Sequence, residues 1–396
     1  MPNRLKGRDI HESHRAATPL ELLFDLTFVV AIALAASQLH HGLAEHHFAQ
    51  AGLAFTGAFF AIWWAWMNYT WFASAYDADD VPHRLLTMLQ MAGVLIFAVG
   101  VPGFFTGDFR AAVVGFAIMR IAQTLHWLRV AHGDPGRRRT ALRYVSGILV
   151  LQCFWGAWLW VPPEWAWPMF AGLALAEVMV PAWAERGGAT PWHAHHIAER
   201  YGLLVIITLG EIVLASANAI ANLWRADGWS FDLALVGIGA MMLVLSLWWM
   251  YFLLPSAEAL HRHRERGFAW GYGHLVVLLS LAAMGAGLEV VADTLNPGVV
   301  TPGDAARPLQ AISMVAIPEA AFVVSLWLVH QRLVRPPRPY LGMIMVCLVA
   351  IAAVPLAVAM GLRLPWALLA LSAGPIAAIW LYTHGDEPPV GISFAN

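Results

Sequence analysis

Ionisable residues inside long apolar runs are the groups of this sequence that could do chemistry. Glu21 and Asp25 open the first run four residues apart, a spacing that places both carboxylates on one face of a helix. Other apolar runs hold Arg120, Glu177, Glu211, His274 and Glu319. Because a charge at the centre of a bilayer costs about 2.5–3.5 kcal/mol on insertion scales, such groups must pair, bind a proton or line water.

Two interpretations of these deep residues are open. In the first, a pathway for a small solute, a proton or a cation is lined by Asp25, Arg120, Glu211, His274 and Glu319. Glu211 or Glu319 beside Arg120 could then exchange a proton, since burial favours a neutral carboxyl and a nearby cation favours a charged one. Pro318 predicts a kink directly before Glu319, as at sites in transporters. In the second, the same groups form buried ion pairs that lock helices together.

Candidates for structural ion pairs are Glu21, Arg84, Glu177, Glu199 and Arg200. Glu21 gains roughly 0.3–1 kcal/mol from the dipole at the N-terminal end of its predicted helix. Asp25 lies a full turn deeper, where that effect has faded, so it needs a partner. Arg200 and Arg84 are the predicted partners of Asp25, and a bound cation is the alternative.

The sequence predicts no metal, cofactor or catalytic site. Cys153 and Cys347 lie far apart in apolar runs, which leaves no framework for a disulfide or a cysteine zinc site. Histidines gather at residues 40–47 and 193–196, but histidines at an interface without a fixed ligand geometry are more often solvated. The lack of a phosphate-binding glycine loop, an HExxH motif and a GxSxG motif disfavours ATP-driven and hydrolytic chemistry.

The elements that must position these residues are membrane-spanning helices. Hydrophobic residues make up 60% of the chain and charged residues 12%, whereas soluble proteins have roughly 25% charged residues. The sequence therefore predicts an all-α polytopic membrane protein. About twelve apolar runs are long enough to span a bilayer, at residues 20–40, 49–72, 84–105, 109–131, 141–161, 164–184, 198–221, 230–254, 267–292, 309–333, 340–361 and 364–383.

The Lys and Arg residues predict the orientation of the chain. Of the 23, 18 fall on the side that holds both termini, four fall on the opposite side, and Arg120 lies within a span. By the positive-inside rule, both termini are predicted to be cytoplasmic. The basic loops at residues 137–139 and 262–266 predict contacts with anionic lipids of the bilayer and no nucleic-acid partner.

The two halves of the chain resemble each other weakly. Glu21 and Glu199 each begin a predicted span, and tryptophan-rich segments lie in the second and eighth spans at residues 63–72 and 247–252. An even number of spans per half gives both halves the same orientation. The sequence thus predicts two six-helix parallel repeats. The first covers residues 1–190, and the second covers residues 191–396 and ends in a short tail.

Five segments, in order along the chain, carry a family resemblance. They are PLELLFDLTFVVAI (19–32), WWAWMNYTWFASAYDADDVPHRLLTMLQM (63–91), HHIAERYGLLVIITLGE (195–211), LWWMYF (247–252) and GYGHLVV (271–277). The chain resembles the bacterial low temperature requirement protein A (LtrA) family in these segments, and ERYGLLVIITLGE is the most specific of them. The resemblance implies a multi-pass protein of the bacterial cytoplasmic membrane whose molecular activity is undefined.

The predicted function is a secondary transporter or ion-translocating protein that uses buried carboxylates. An ion channel is one alternative, since Phe24-Asp25 and the two repeats resemble in outline a family of two-repeat potassium channels. Leu203 stands where the motif of those channels recurs. A non-transporting lipid-handling protein or an intramembrane enzyme is the other alternative, and a lipid-sized lateral groove would favour it.

Overall fold

The computed structural model describes residues 6–10, 12, 15–296, 308–334 and 339–384, and all regular structure within them is helical. The predicted loops at residues 297–307 and 335–338 lie outside this part of the chain. The described α-helices are α1 (Pro19–Ala44), α2 (Phe48–Tyr76), α3 (Val81–Gly100), α4 (Gly103–Thr106), α5 (Arg110–Gly133), α6 (Arg138–Trp158), α7 (Pro163–Ala184), α8 (Ala194–Asp227), α9 (Phe231–Phe252), α10 (Ser256–Arg262), α11 (Gly267–Leu295), α12 (Pro308–Val334), α13 (Pro339–Ala359), α14 (Leu364–Leu371) and α15 (Ala373–His384).

Eleven helical stretches in the described ranges are long and apolar enough to cross a membrane. Each predicted span is helical, so the prediction of an all-α polytopic membrane protein is confirmed. The predicted fifth span is α6, which is not one of the eleven. The predicted last span is divided into α14 and α15 at Ser372. The division follows from Pro375, which has no N–H to donate to the Leu371 carbonyl.

Polar caps determine where α3 and α9 begin. Asp80 precedes α3 and accepts a hydrogen bond from the His83 N–H at 2.8 Å, with Pro82 in the first turn. Ser230 precedes α9 and accepts from the Leu233 N–H at 3.1 Å. The cap at Asp80 places His83 in the first turn of α3.

The chain divides into two compact units. The first contains Met1–Ala35 and Leu53–Arg200, and the second contains Ala36–Gly52 and Tyr201–Asn396. α1, α2 and α8 therefore each contribute one part to the first unit and the other part to the second. The two six-helix repeats that the sequence suggests, at residues 1–190 and 191–396, stay a prediction.

α3 and α5 approach each other closely within the first unit. A Cβ atom added to Gly93 would lie 2.9 Å from the Gly115 carbonyl oxygen, and one added to Gly115 would overlap the Phe97 backbone nitrogen. Small residues at helix interfaces permit such close approach of two backbones in membrane proteins. The backbones of α3 and α5 therefore touch at Gly93 and Gly115, with no room for a side chain between them.

Gly115→Ala is expected to lower the free energy of unfolding by about 1–3 kcal/mol, because the added methyl group forces α3 and α5 apart. Thermal unfolding of the purified protein in detergent is the measurement. Gly172→Ala in α7 is the matched control, since a Cβ atom there meets no atom within 4 Å. The control should be as stable as the wild type or more so. Equal unfolding temperatures for the two variants would contradict the close crossing.

Candidate functional site

Thr18 and Glu21 form a capping box at the start of α1. The Thr18 N–H donates to Glu21 Oε2 at 2.8 Å, and the Glu21 N–H donates to Thr18 Oγ1 at 3.3 Å. Pro19 occupies the first helical position, where its missing N–H costs nothing. The backbone therefore holds Glu21 at a helix N-terminus, which favours a negative charge. The other oxygen, Oε1, faces cationic side chains.

Arg200 in α8 bridges Glu21 and Asp25. Its Nη1 lies 3.0 Å from Glu21 Oε1, and its Nη2 and Nε donate to the two Asp25 oxygens at 2.5 and 3.1 Å. Trp66 of α2 adds an indole N–H bond to Asp25 Oδ1 at 2.7 Å. The three charged groups are all buried. Both Asp25 oxygens are thus bonded, and the guanidinium holds this carboxylate in a bidentate pair.

Two further side chains contact Glu21 Oε1. Arg15 Nη2 lies 3.7 Å from it, and His196 Nε2 lies 3.0 Å from it. Burial lowers the pKa of the Arg15 guanidinium, and the charge of Glu21 opposes that shift. Arg15 and Arg200 thus face Glu21 and Asp25, and Arg15 also lies 3.6 Å from Asp77 Oδ2. This arrangement suits a structural ion-pair network better than an open cation site. We call this group the Arg200 cluster: Arg15, Glu21, Asp25, His196 and Arg200.

A second buried ion pair joins α5 and α7. Arg120 donates through Nη2 to Glu177 Oε2. Trp64 donates to Glu177 Oε2 at 2.9 Å, and Trp155 donates to Oε1 at 3.2 Å. The sequence analysis expected Glu211 or Glu319 beside Arg120, but the carboxylate that Arg120 binds is Glu177. With its two indole donors, this pair has the geometry of a structural ion pair that holds α5 and α7 together.

Two other predicted pairing residues lie at the surface. Arg84, a predicted partner of Asp25, pairs instead with Asp79 at 2.9 Å, and the two side chains are 54% and 67% exposed. Glu199 is exposed and accepts a hydrogen bond from the Ala17 N–H at 3.3 Å. Neither Arg84 nor Glu199 therefore belongs to the buried network.

Glu319 lies in α12 of the second unit and is 0% exposed. Neither carboxylate oxygen has a hydrogen-bond partner among the described residues. Pro318 precedes it inside the helix, so the Met314 carbonyl lacks the N–H that would normally bind it. An unpaired ion is costly in such a place, and the described residues supply no counter-charge to Glu319.

Glu211 begins a row of carboxylates in the second unit. It lies in α8 beside Gly285 of α11, where an added Cβ atom would be 3.4 Å from Glu211 Cβ. Glu289 follows one turn along α11 from Gly285. His40 in α1 lies 3.4 Å from Glu289 Oε2 and 2.7 Å from Asp293 Oδ2. Glu211, Glu289 and Asp293 are the carboxylate row, and the sequence analysis did not connect it to His40.

His274, a predicted pathway residue, lies in an aromatic cluster of the second unit. Its Nε2 is 3.1 Å from the Tyr251 hydroxyl, and its Nδ1 is 2.8 Å from the Trp270 carbonyl oxygen. The ring packs on Trp270 and Tyr201, with centroids 4.2 and 4.9 Å away. Both ring nitrogens are occupied, which favours a packing role.

Sequence reasoning missed the neutral groups that complete these sites. The capping box had a visible signal, because Thr18-Pro19-Leu20-Glu21 fits the pattern of a helix start. No signal in the sequence marked the indole donors Trp64, Trp66 and Trp155, since tryptophan commonly packs between membrane helices. Within the described ranges, no group of three or more His, Cys, Asp or Glu residues could hold a metal ion.

Arg200→Met is expected to lower the free energy of unfolding by about 3–5 kcal/mol, because Glu21 and Asp25 lose the cation that they share. Membrane abundance and the unfolding temperature of the purified protein are the measurements. Arg84→Met is the matched control, since its pair with Asp79 is exposed to water and contributes little to stability. Equal losses in the two variants would show that the Arg200 cluster does not stabilise the first unit.

Comparison with known proteins assigns the chain to a family. The profile of the bacterial low temperature requirement A protein (LtrA) matches residues 16–374. An uncharacterized protein of Rhizobium meliloti is 26% identical over 274 residues, and the match covers 65% of this chain and 65% of the length of that relative. No solved structure matches the chain. Because the profile spans nearly all of the sequence, the protein belongs to the bacterial low temperature requirement A (LtrA) family.

Proposed function

We propose that this protein is a secondary transporter that couples the movement of a small solute or cation to a proton bound at Glu319. One observation supports this most: Glu319 is completely buried in a membrane-spanning helix, and neither oxygen has a partner among the described residues. Holding it ionised there would cost several kcal/mol. The carboxyl therefore carries a proton in this conformation and can release it only when water or a cation reaches it.

The ion pairs of the other deep residues leave fewer candidates for the pathway. Asp25 is bound by Arg200, and Arg120 is bound by Glu177. A solute would have to break one of these buried ion pairs to use either group, at a cost of several kcal/mol. Among the described residues, Glu211 forms no ion pair, so we retain it with Glu319 as a proton or cation site.

The backbone around Pro318 supports a site at this depth. Since Pro318 has no N–H, the Met314 carbonyl oxygen is free of its usual helical bond. Gly287 of α11 lies so close that an added Cβ atom would overlap this oxygen. Free carbonyl groups at interrupted helices coordinate ions in other secondary transporters. α12 thus offers a proton site and a backbone acceptor that lacks its usual helical donor within about one and a half turns of helix.

Lipid handling is the second candidate function, and a groove in the second unit favours it. The groove has a volume of about 390 Å³, within the range of small-ligand sites. Its mostly apolar lining suits an acyl chain. The lining residues are Leu39, Leu43, Phe48, Ala283, Leu309, Gln310, Ser313, Met314, Ile317 and Pro318. A protein that only binds lipid would not need Glu319 to change its protonation, so a variant of Glu319 separates the two functions.

We also infer the location and lipid contacts of the protein. The excess of Lys and Arg on the side of the two termini supports a cytoplasmic position for both, in the bacterial cytoplasmic membrane. The basic residues 137–139 and 262–266 are suited to anionic lipid headgroups on that side.

Glu319→Gln tests the proposal, because the amide copies the size of the neutral carboxyl but cannot release a proton. The purified protein is reconstituted into liposomes with a trapped pH-sensitive dye. Gradients of Na⁺, K⁺ and a mixture of amino acids are then imposed one at a time. We expect the wild type to move protons with at least one of these probes, Glu319→Gln to lose this movement, and Glu319→Asp to retain part of it.

Two controls make the result specific. Glu319→Gln should unfold at the wild-type temperature, since it replaces one neutral group with another of the same size. Arg84→Met changes only an exposed ion pair, so this variant should move protons at the wild-type rate. The proposal is contradicted if Glu319→Gln moves protons as fast as the wild type. It is also contradicted if the wild type matches empty liposomes with all three probes.

A further inference from the structure

α3 and α5 bury a row of polar side chains within the first unit. The residues are three to four positions apart on each helix, so each set lies on one helix face. The rings of His83 and His126 pack at a centroid distance of 5.0 Å, and Gln90 donates to Gln123 at 3.3 Å. We call this row the polar seam; its members, all buried, are His83, Thr87, Gln90, Arg120, Gln123 and His126.

Six buried nitrogen atoms of the polar seam have no hydrogen-bond partner among the described residues. They are His83 Nδ1, both ring nitrogens of His126, Gln123 Nε2, and Nε and Nη1 of Arg120. An unsatisfied buried group destabilises the folded state, and six together would cost as much as the whole stability of a typical protein. Buried polar groups in folded proteins bind either other protein groups or ordered water. A ligand that can hydrogen-bond is therefore expected along the seam.

The charges around the polar seam favour water over an anion or a cation as that ligand. The charge of Arg120 is already balanced by Glu177, so a bound anion would leave a buried negative charge. A cation would face the Arg120 guanidinium and N–H donors. Water is neutral and both donates and accepts, and internal water in proteins typically makes about three hydrogen bonds.

The two ends of the seam differ in their access to solvent. Beyond Gln90 and Arg120, α3 and α5 are closed by the contact of Gly93 with Gly115. At the other end, His83 Nε2 lies 3.7 Å from Asp77 Oδ1. Asp77 in turn lies 3.8 Å from Arg8, whose side chain is 29% exposed. Among the described residues, such a polar connection to the surface is found at the Asp77 end.

We propose that the polar seam holds a file of internal water molecules that enters beside Asp77 and ends at the Arg120–Glu177 pair. The file gives His83 and His126 a route for proton exchange with solvent. Tyr69 borders it, with its hydroxyl 3.2 Å from Thr87 Oγ1. This site lies in the first unit and does not depend on transport through Glu319.

Hydroxyl-radical footprinting of the wild-type protein in lipid nanodiscs tests the proposal. X-ray pulses create radicals from water molecules where they lie, and mass spectrometry locates the oxidised side chains. His126 is compared with His274, and Tyr69 with Tyr201, because each pair has the same intrinsic reactivity and is almost fully buried. His274 has both nitrogens bonded by protein groups. We expect several-fold more oxidation at His126 and Tyr69 than at their counterparts.

A variant tests how far the file extends. Gln123→Leu replaces an amide in the middle of the seam by an apolar group of similar size. The ring of Phe116 lies 5.5 Å from the Arg120 guanidinium and reports on the inner end. We expect the variant to lose oxidation at Phe116, to keep it at His126 and to unfold near the wild-type temperature. Equal oxidation of His126 and His274 in the wild type would overturn the water file. Unchanged oxidation of Phe116 in a folded Gln123→Leu would overturn its continuity to Arg120.

Discussion

A charge inside a membrane-spanning helix bundle has no bulk water to solvate it, so the protein must supply its counter-charge. In the first unit Arg200 does this for Glu21 and Asp25 at once. The bond ties the first turns of α1 to the start of α8, 175 residues later in the chain. The capping box strengthens the same point, because Glu21 bonds the α1 backbone with one oxygen and faces Arg200 with the other. Local helix geometry and long-range packing therefore depend on the same carboxylate.

The two units treat their buried acids differently. In the first unit, Glu21, Asp25 and Glu177 each have an arginine partner, and Trp66, Trp64 and Trp155 supply further donors. In the second unit, Glu319 is unpaired in the described part of the chain, and the arginines lie near the ends of helices. A paired acid keeps its charge and its partner, which suits a fixed scaffold. An unpaired buried acid changes its energy greatly with protonation, which suits a coupling site.

Hydropathy predicted the long helices because apolarity and length are local properties of the sequence. It could not give the rotation of each helix about its axis, and that rotation decides which groups meet. Arg120 illustrates this limit: its depth was compatible with several glutamates, but the face of α5 that carries it packs toward Glu177. The break at Ser372 was visible in Pro375, whereas the backbone contact at Gly93 required knowledge of which helices are neighbours.

A buried acid is useful to a transporter only if its surroundings can change. In the proposed mechanism Glu319 holds a proton in the present conformation, and a site that stayed buried and unpaired could not release it. Release requires a second conformation in which water, a cation or a hydrogen-bond donor reaches the carboxylate, and the proton then biases the equilibrium between the two. Pro318 supplies a place for that change, because α12 lacks one backbone bond directly before the acid. The close contact of Gly287 with the Met314 backbone limits the change to the part of α12 that follows, where Glu319 lies.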